Sequence, residues 1–298
     1  SLDPGQIVSP LGLLEQPDYP SKVQISVRLG DPDQAIDPLL ARDFPNLDAS
    51  FRQRGIATVV VRYELTNNTD TNRALWGASG AANTFFIVDG VSVYDPRDPL
   101  QNRDDETTWK FSENATLCQA DFIRSSYGGR VDPNKIDWDK IAEAADYDDD
   151  PIACADGTFI PRYTVSGLLT LNQKPYDVLK SMLTANRGTV ATGNGKIWIA
   201  SAKPRDPALC IYDDLFMDAV QVRNEKLKRD QINILQTRFV ADDRDYTLAD
   251  GPILKRDDLI AIDGEQLVGT LDLAWTRDYR RVERLQKAFM DSSRLGKA

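Results

Sequence analysis

Asp146-Tyr147-Asp148-Asp149-Asp150 is the densest run of hard oxygen ligands in the chain, and it begins like a calcium-binding loop. Such a loop needs Gly at its sixth position and Glu at its twelfth, and here those positions are Pro151 and Gly157. A solvated acidic loop is therefore the expectation at 146–150. Asp242-Asp243-Arg244-Asp245 fails in the same way, with an Arg inside it. Gly193-Asn194-Gly195-Lys196 ends like a phosphate loop, but Val190 stands where the first Gly is needed and Ile197 where Ser or Thr is needed. Its alternating flanks read as a hairpin instead. The carboxylate pairs Asp213-Asp214 and Asp257-Asp258, and the run Asp104-Asp105-Glu106, could act as acid and base on a glycoside only if they flanked a cleft. Among 46 acidic residues, proximity along the chain is expected by chance.

The chain contains no histidine. That removes Ser-His-Asp and Cys-His nucleophiles, His metal ligands and imidazole acid–base work. The three cysteines, Cys118, Cys154 and Cys210, are widely spaced and form no C-x-x-C, so small buried thiols are expected and a zinc site is not. No catalytic residue, cofactor or metal is expected, and the chain reads as a non-enzyme.

With 36 basic against 46 acidic residues the net charge is −10. Proteins that grip a phosphate backbone cluster Lys and Arg, so nucleic-acid binding is not the expected task. An acidic wall suits DNA that must pass without being held. The longest apolar run, Ile56–Val61, is the size of a buried strand and far short of the roughly 18 residues of a membrane span. The opening SLDPGQIVSP has no basic start followed by an apolar core, so no signal peptide is expected.

The elements that would position these residues follow from periodicity. Pro4, Pro10, Pro17 and Pro20 predict an extended arm over 1–21. Lys22–Gly30 alternates strictly, placing Val23, Ile25, Val27 and Leu29 on an apolar face and Gln24, Ser26 and Arg28 on a wet one. Gly55–Leu65 reads as a second, central strand. Phe85–Pro99 reads as a hairpin turning at Asp89-Gly90. Between them, the polar loop Thr66–Asn83 carries Trp76, a candidate contact residue. Helices are predicted over Ser112–Ser126, after a capping Asp137, and from Pro175; a hairpin is predicted over Thr189–Ser201. Beyond Pro204 and Pro207 the β pattern returns at Gln231–Ala241 and Glu265–Ala274, before a final helix after Thr276. Strands, an α/β block, then strands again predict an α+β fold. Specifically, 22–105 and 222–298 would pool into a split β-barrel with a C-terminal helix, and 106–221 would be an inserted α/β domain.

The order of segments resembles the tail tip attachment protein J family of siphophages and gene transfer agents, whose central part is similar to the baseplate hub of contractile tails. The resemblance runs from about Val23 to Leu295. Its most specific pieces are Val93-Tyr94-Asp95-Pro96-Arg97, Asn114–Phe122, Ile136-Asp137-Trp138 and Arg162–Gly167. Two departures are Asp148, where a Cys is expected, and Ala241-Asp242-Asp243, where a longer Asp-Pro turn is. The resemblance implies a structural protein at the virion tail tip. It would be a homotrimer imitating a sixfold ring, in contact with the distal tail protein, other hub and tip proteins and the tape measure protein, with DNA only in transit. It implies no catalytic residue. Tyr94, Arg97, Trp76 and Trp109 are the candidate interface residues. A receptor- or carbohydrate-binding module using Trp76 and Trp109 as an exposed platform is the alternative, and a carboxylate-based cell-wall hydrolase a third reading.

Overall fold

The computed structural model describes residues 23–48, 50–65, 71, 86, 88–170, 172–204, 212, 231–244 and 246–294. The chain divides into two compact units, Ser1–Val88 and Asp89–Ala298. Trp76 and Cys210 lie outside the described residues, as do the predicted arm and most of the loop around Trp76.

In the first unit, β1 (Val23–Arg28) pairs antiparallel with β2 (Thr58–Tyr63), with Ile25 opposite Val61 and Val27 opposite Val59. Between them lies α1 (Pro38–Asp43), which starts where Pro38 presets the helical φ and the Asp37 carboxylate accepts from the Leu39 and Leu40 amides at 2.9 and 3.3 Å. The wet face predicted for β1 is not wet: Ser26 is fully buried, whereas Leu29 is exposed. The reason is polar covering. Arg28 reaches Asp37 at 3.8 Å, and Arg42 Nη2 donates to Gln24 Oε1 at 3.2 Å, so α1 engages the hydrophilic side of the strand.

The second unit begins with β3 (Ser92–Val93), β4 (Lys110–Phe111), α2 (Ala115–Arg124) and α3 (Trp138–Asp149). It continues through β5 (Pro151–Ala153), β6 (Phe159–Pro161), α4 (Pro175–Met182), β7 (Thr189–Gly193) and β8 (Lys196–Ala200). It closes with β9 (Ile234–Ala241), β10 (Thr247–Asp250), β11 (Leu254–Lys255), α5 (Asp257–Asp263), β12 (Val268–Leu273) and α6 (Tyr279–Arg294). The β7–β8 hairpin turns on Asn194 at φ 51° and Gly195 at φ 74°, the two left-handed positions of a type I′ turn. Asp89-Gly90 makes no such turn, since neither residue has a positive φ; Ser92–Val93 pairs instead with Lys110–Phe111. Val93 is nearly fully buried, and that apolar anchor decides the register.

β9 is the hub of the one four-stranded sheet among the described residues. It pairs antiparallel with β10 and β11 and parallel with β12, Phe239 lying opposite both Ala249 and Leu273. Its alternate residues Leu235, Thr237, Phe239 and Ala241 are buried, as strand periodicity requires. Helix α6 presents a stripe of Val282, Leu285, Gln286 and Met290, all buried, and Gln286 Nε2 donates to Thr237 Oγ1 at 2.7 Å. Each apolar side chain of that stripe stabilises by about 1.5–3 kcal/mol. One core joins Phe239, Leu273, Val282 and Leu285 to Phe122, Val178 and Met182 of the preceding helices. A second core holds Val93, Leu117, Ile123, Ile136, Ile141 and Ile199.

The split barrel is therefore overturned. Among the described residues, β1 and β2 pair only with each other, β9 belongs to a different sheet, and no sheet closes into a barrel. The apolar face of β9 is covered by helices α2, α4 and α6 and has no need of a second layer of strands. The fold is α+β, with the four-stranded sheet and four two-stranded ones among the described residues. Among the same residues, no helix is long and apolar enough to cross a membrane.

Candidate functional site

Asp95-Pro96-Arg97 is a turn that aims a guanidinium at its own carboxylate. Asp95 Oδ1 accepts from the Arg97 amide at 2.9 Å and from Arg97 Nε at 2.9 Å, and Asp95 Oδ2 accepts from Nη2 at 2.8 Å. The far side of the guanidinium donates to Asp146 at 3.0 Å and Asp149 at 2.9 Å, at the C-terminal end of α3. Two carboxylates at a helix C-terminus oppose the helix dipole, and a planar five-donor cation is the side chain suited to neutralise both. The hydrogen bonds to Asp95 raise the Arg97 pKa above its ordinary value; burial opposes this, and the bonds to Asp146 and Asp149 add to it. The acidic run that begins like a calcium loop is thus the last turn of a helix, with an arginine as its cation. Among the described residues, no group of three or more Cys, Asp or Glu is placed to hold a metal ion.

Tyr94 stands beside this clamp with its ring edge-on to Trp138, centroids 5.1 Å apart, and tilted against Trp109 at 6.1 Å. The Arg124 guanidinium lies 4.2 Å over the Trp109 ring, and Trp109 Nε1 donates to the Asn102 carbonyl at 2.7 Å. Burial pushes the Tyr94 hydroxyl up. The structure brings three of the four sequence candidates, Tyr94, Arg97 and Trp109, into one neighbourhood. Trp109, only 7% exposed, is a core residue there.

Of the two residues between Asp146 and Asp149, Asp148 faces the other way. Asp148 is fully buried. Its Oδ2 accepts from the Thr116 amide at 2.9 Å, Thr116 Oγ1 at 2.6 Å and Asn186 Nδ2 at 3.2 Å, and its Oδ1 from Ser201 Oγ at 2.6 Å. Asn186 is itself bonded to Gln119, whose Nε2 also reaches the Met182 carbonyl at 3.0 Å. The knot ties α2, α3, the turn after α4 and the end of β8 through neutral donors alone. Burial raises the Asp148 carboxyl above its ordinary range, and the bonds from Ser201, Thr116 and Asn186 pull it back only in part.

Neither a protein-family model nor a curated protein matches the chain. The site is accordingly read from its own chemistry. An enclosed carboxylate meets no substrate, and the Arg97 clamp is satisfied by its own chain. Both hold elements of the fold together: Arg97 joins the Asp95 turn to α3, and Asp148 joins α2, α3, the turn after α4 and the end of β8. Cys118 and Cys154 are unpaired, and burial pushes the Cys118 thiol up to about 12, leaving it a poor nucleophile.

The sequence reading names Asp148 but does not connect it to Thr116, Asn186 and Ser201. A signal was present: Ile141, Ala144, Ala145 and Asp148 fall at i, i+3, i+4 and i+7, so Asp148 lies on the apolar stripe of its helix. A carboxylate on that stripe announces a buried polar network.

Proposed function

We propose that the chain is a structural subunit of a phage or phage-like tail tip, an assembly part working through surfaces shared with copies of itself and with other tail proteins. One observation carries the reading: the four segments on which the resemblance rests are packed against one another. Val93, Leu117 and Ile136 share one core. Asn114 and Thr164 form a β-bridge, and Tyr94 meets Trp138. Gly167 lies under Trp275, where a Cβ would come within 2.5 Å of the ring; the indole nitrogen donates to Ser181 Oγ at 2.7 Å. Segments that carried chemistry would open to solvent, whereas these close on each other and build a rigid frame.

In this role the distal tail protein, the tape measure protein and further hub proteins are the partners, the chain forms a homotrimer, and DNA passes without being held. The net charge of −10 suits such passage. A ring built on a split barrel is no part of the proposal. The burial of Trp109 weighs against the receptor-binding alternative, which needs that ring exposed. Gold-conjugated antibodies against the chain, applied to particles released by the cells that encode it, test the location. Label at one end of each tail is expected; label absent from intact particles overturns the reading.

A further inference from the structure

A cavity of about 570 Å³ opens between α4, the start of β7, β12 and α6. Its lining is largely apolar: Leu179 and Leu183 from α4 and the turn after it, Leu271 and Leu273 from β12, and Leu285 and Phe289 from α6. Two cations line it, Lys180 and Arg187, and no carboxylate does among the described residues. In a chain of net charge −10, that is a local reversal of sign. Arg187 is held there at φ 52°, in the left-handed region that non-glycine residues seldom adopt. The preceding Asn186, fully buried in the Asp148 knot, anchors it.

The strands that line the cavity supply a second observation. Among the described residues β12 pairs only with β9, and β7 only with β8, so each has an edge that no described strand pairs. β12 is a parallel strand, a type normally covered on both sides, and an open edge is a template for another strand.

We propose that this groove takes an extended, acidic segment of a partner protein, added as a strand along β12. Its alternate apolar side chains fill the cavity and its carboxylates meet Lys180 and Arg187. Main-chain hydrogen bonds to the edge supply affinity, while the pocket and the cations supply selectivity. A helix would leave the edge of β12 unpaired, and a basic segment would meet like charge. The groove exists whether or not the chain is a tail subunit, so the two readings fail separately.

Fluorescence anisotropy with a labelled, end-blocked nonapeptide, alternating valine and threonine between terminal aspartates, tests this on the full chain. The aspartate peptide is expected to bind. The same peptide with lysine ends, or N-methylated on alternate residues, is expected not to. Lys180→Glu and Arg187→Glu should each weaken binding by about fivefold or more, the upper range of a rim ion pair. Leu271→Glu should abolish it; because that change can unfold the unit, the exposed Lys180→Glu, with an unchanged melting curve, is the deciding variant. Four results would overturn the proposal: no binding to the folded chain at about millimolar peptide, equal binding of the lysine or N-methylated peptide, tighter binding of laurate or of an acidic helical peptide, or a groove closed by self-association that Lys180→Glu disperses.

Discussion

The last turn of α3 (Trp138–Asp149) shows two treatments of the same side chain. On its outer side, Asp146 and Asp149 are exposed and share the Arg97 guanidinium with Asp95. On its inner side, Asp148 is fully buried and receives hydrogen bonds from neutral groups only. Solvent screening makes the outer arrangement weak and adjustable. Burial makes the inner one strong, because any donor left behind loses both its partner and water. Unlike surface ion pairs, buried polar networks fix the relative placement of elements, here α2, α3, the turn after α4 and the end of β8.

Replacing Asp148 with leucine should give the largest effect. Asp148→Leu leaves the Thr116, Asn186 and Ser201 donors unmet and should lower unfolding free energy in urea by about 3 kcal/mol. A loss below about 1 kcal/mol would place the knot on a par with the surface clamp and break the comparison. Asn114→Ala comes next. Its Oδ1 caps α2 by accepting from the Leu117 amide at 3.1 Å, and its Nδ2 donates to the Ala145 carbonyl of α3 at 2.9 Å. About 2 kcal/mol should be lost in the same assay.

Acidity separates the two regions further. The folded Asp148 carboxyl titrates above its ordinary value of 3.8 because it is buried. The folded state therefore holds its proton over an interval where the unfolded chain has lost it. Stability from this group is fully present below the unfolded value and falls as pH rises through the folded one, by at most about 1.4 kcal/mol per unit. Partly exposed carboxylates such as Asp98, held low by the Lys110 hydrogen bond, act in the opposite direction. The difference between wild type and Asp148→Asn isolates the buried group: the asparagine variant should lose the acid-side gain. Parallel pH profiles for the two proteins would refute the assignment.

The smallest effect belongs to the clamp. Arg97→Ala should lose about 1 kcal/mol at low salt and less at 1 M salt, and Arg97→Lys should restore only part of it because one ammonium cannot fork between carboxylates. A salt-independent loss near that of Asp148→Leu would show that the outer side is buried in solution.

What could be read in advance divides along a physical line. Local rules worked where the deciding contacts are local. Asp137 does cap α3, accepting from the Lys140 amide at 3.3 Å, and Pro175 does open α4. Asn194-Gly195 does make its turn, and β9, β12 and α6 occupy the stretches that alternation and period indicated. Pairing was not legible. Alternation shows that a strand has two faces but not what covers them, so it cannot tell that the strands within Lys22–Gly30 and Gln231–Ala241, β1 and β9, belong to separate sheets. The site divides likewise. Arg97 and Tyr94 stand out, but the partners of Arg97 lie 49 and 52 residues away, and Asp148 is marked only by its acidic run and by a departure from a pattern, neither of which names its partners.

Deletion of the chain from the cells that encode it, followed by imaging of the released particles and measurement of DNA delivery, tests the tail-tip role most directly. Tails without a formed tip and loss of delivery are expected, with rescue by the wild-type chain and by Arg97→Lys. Complete particles that deliver DNA at the normal level would contradict it.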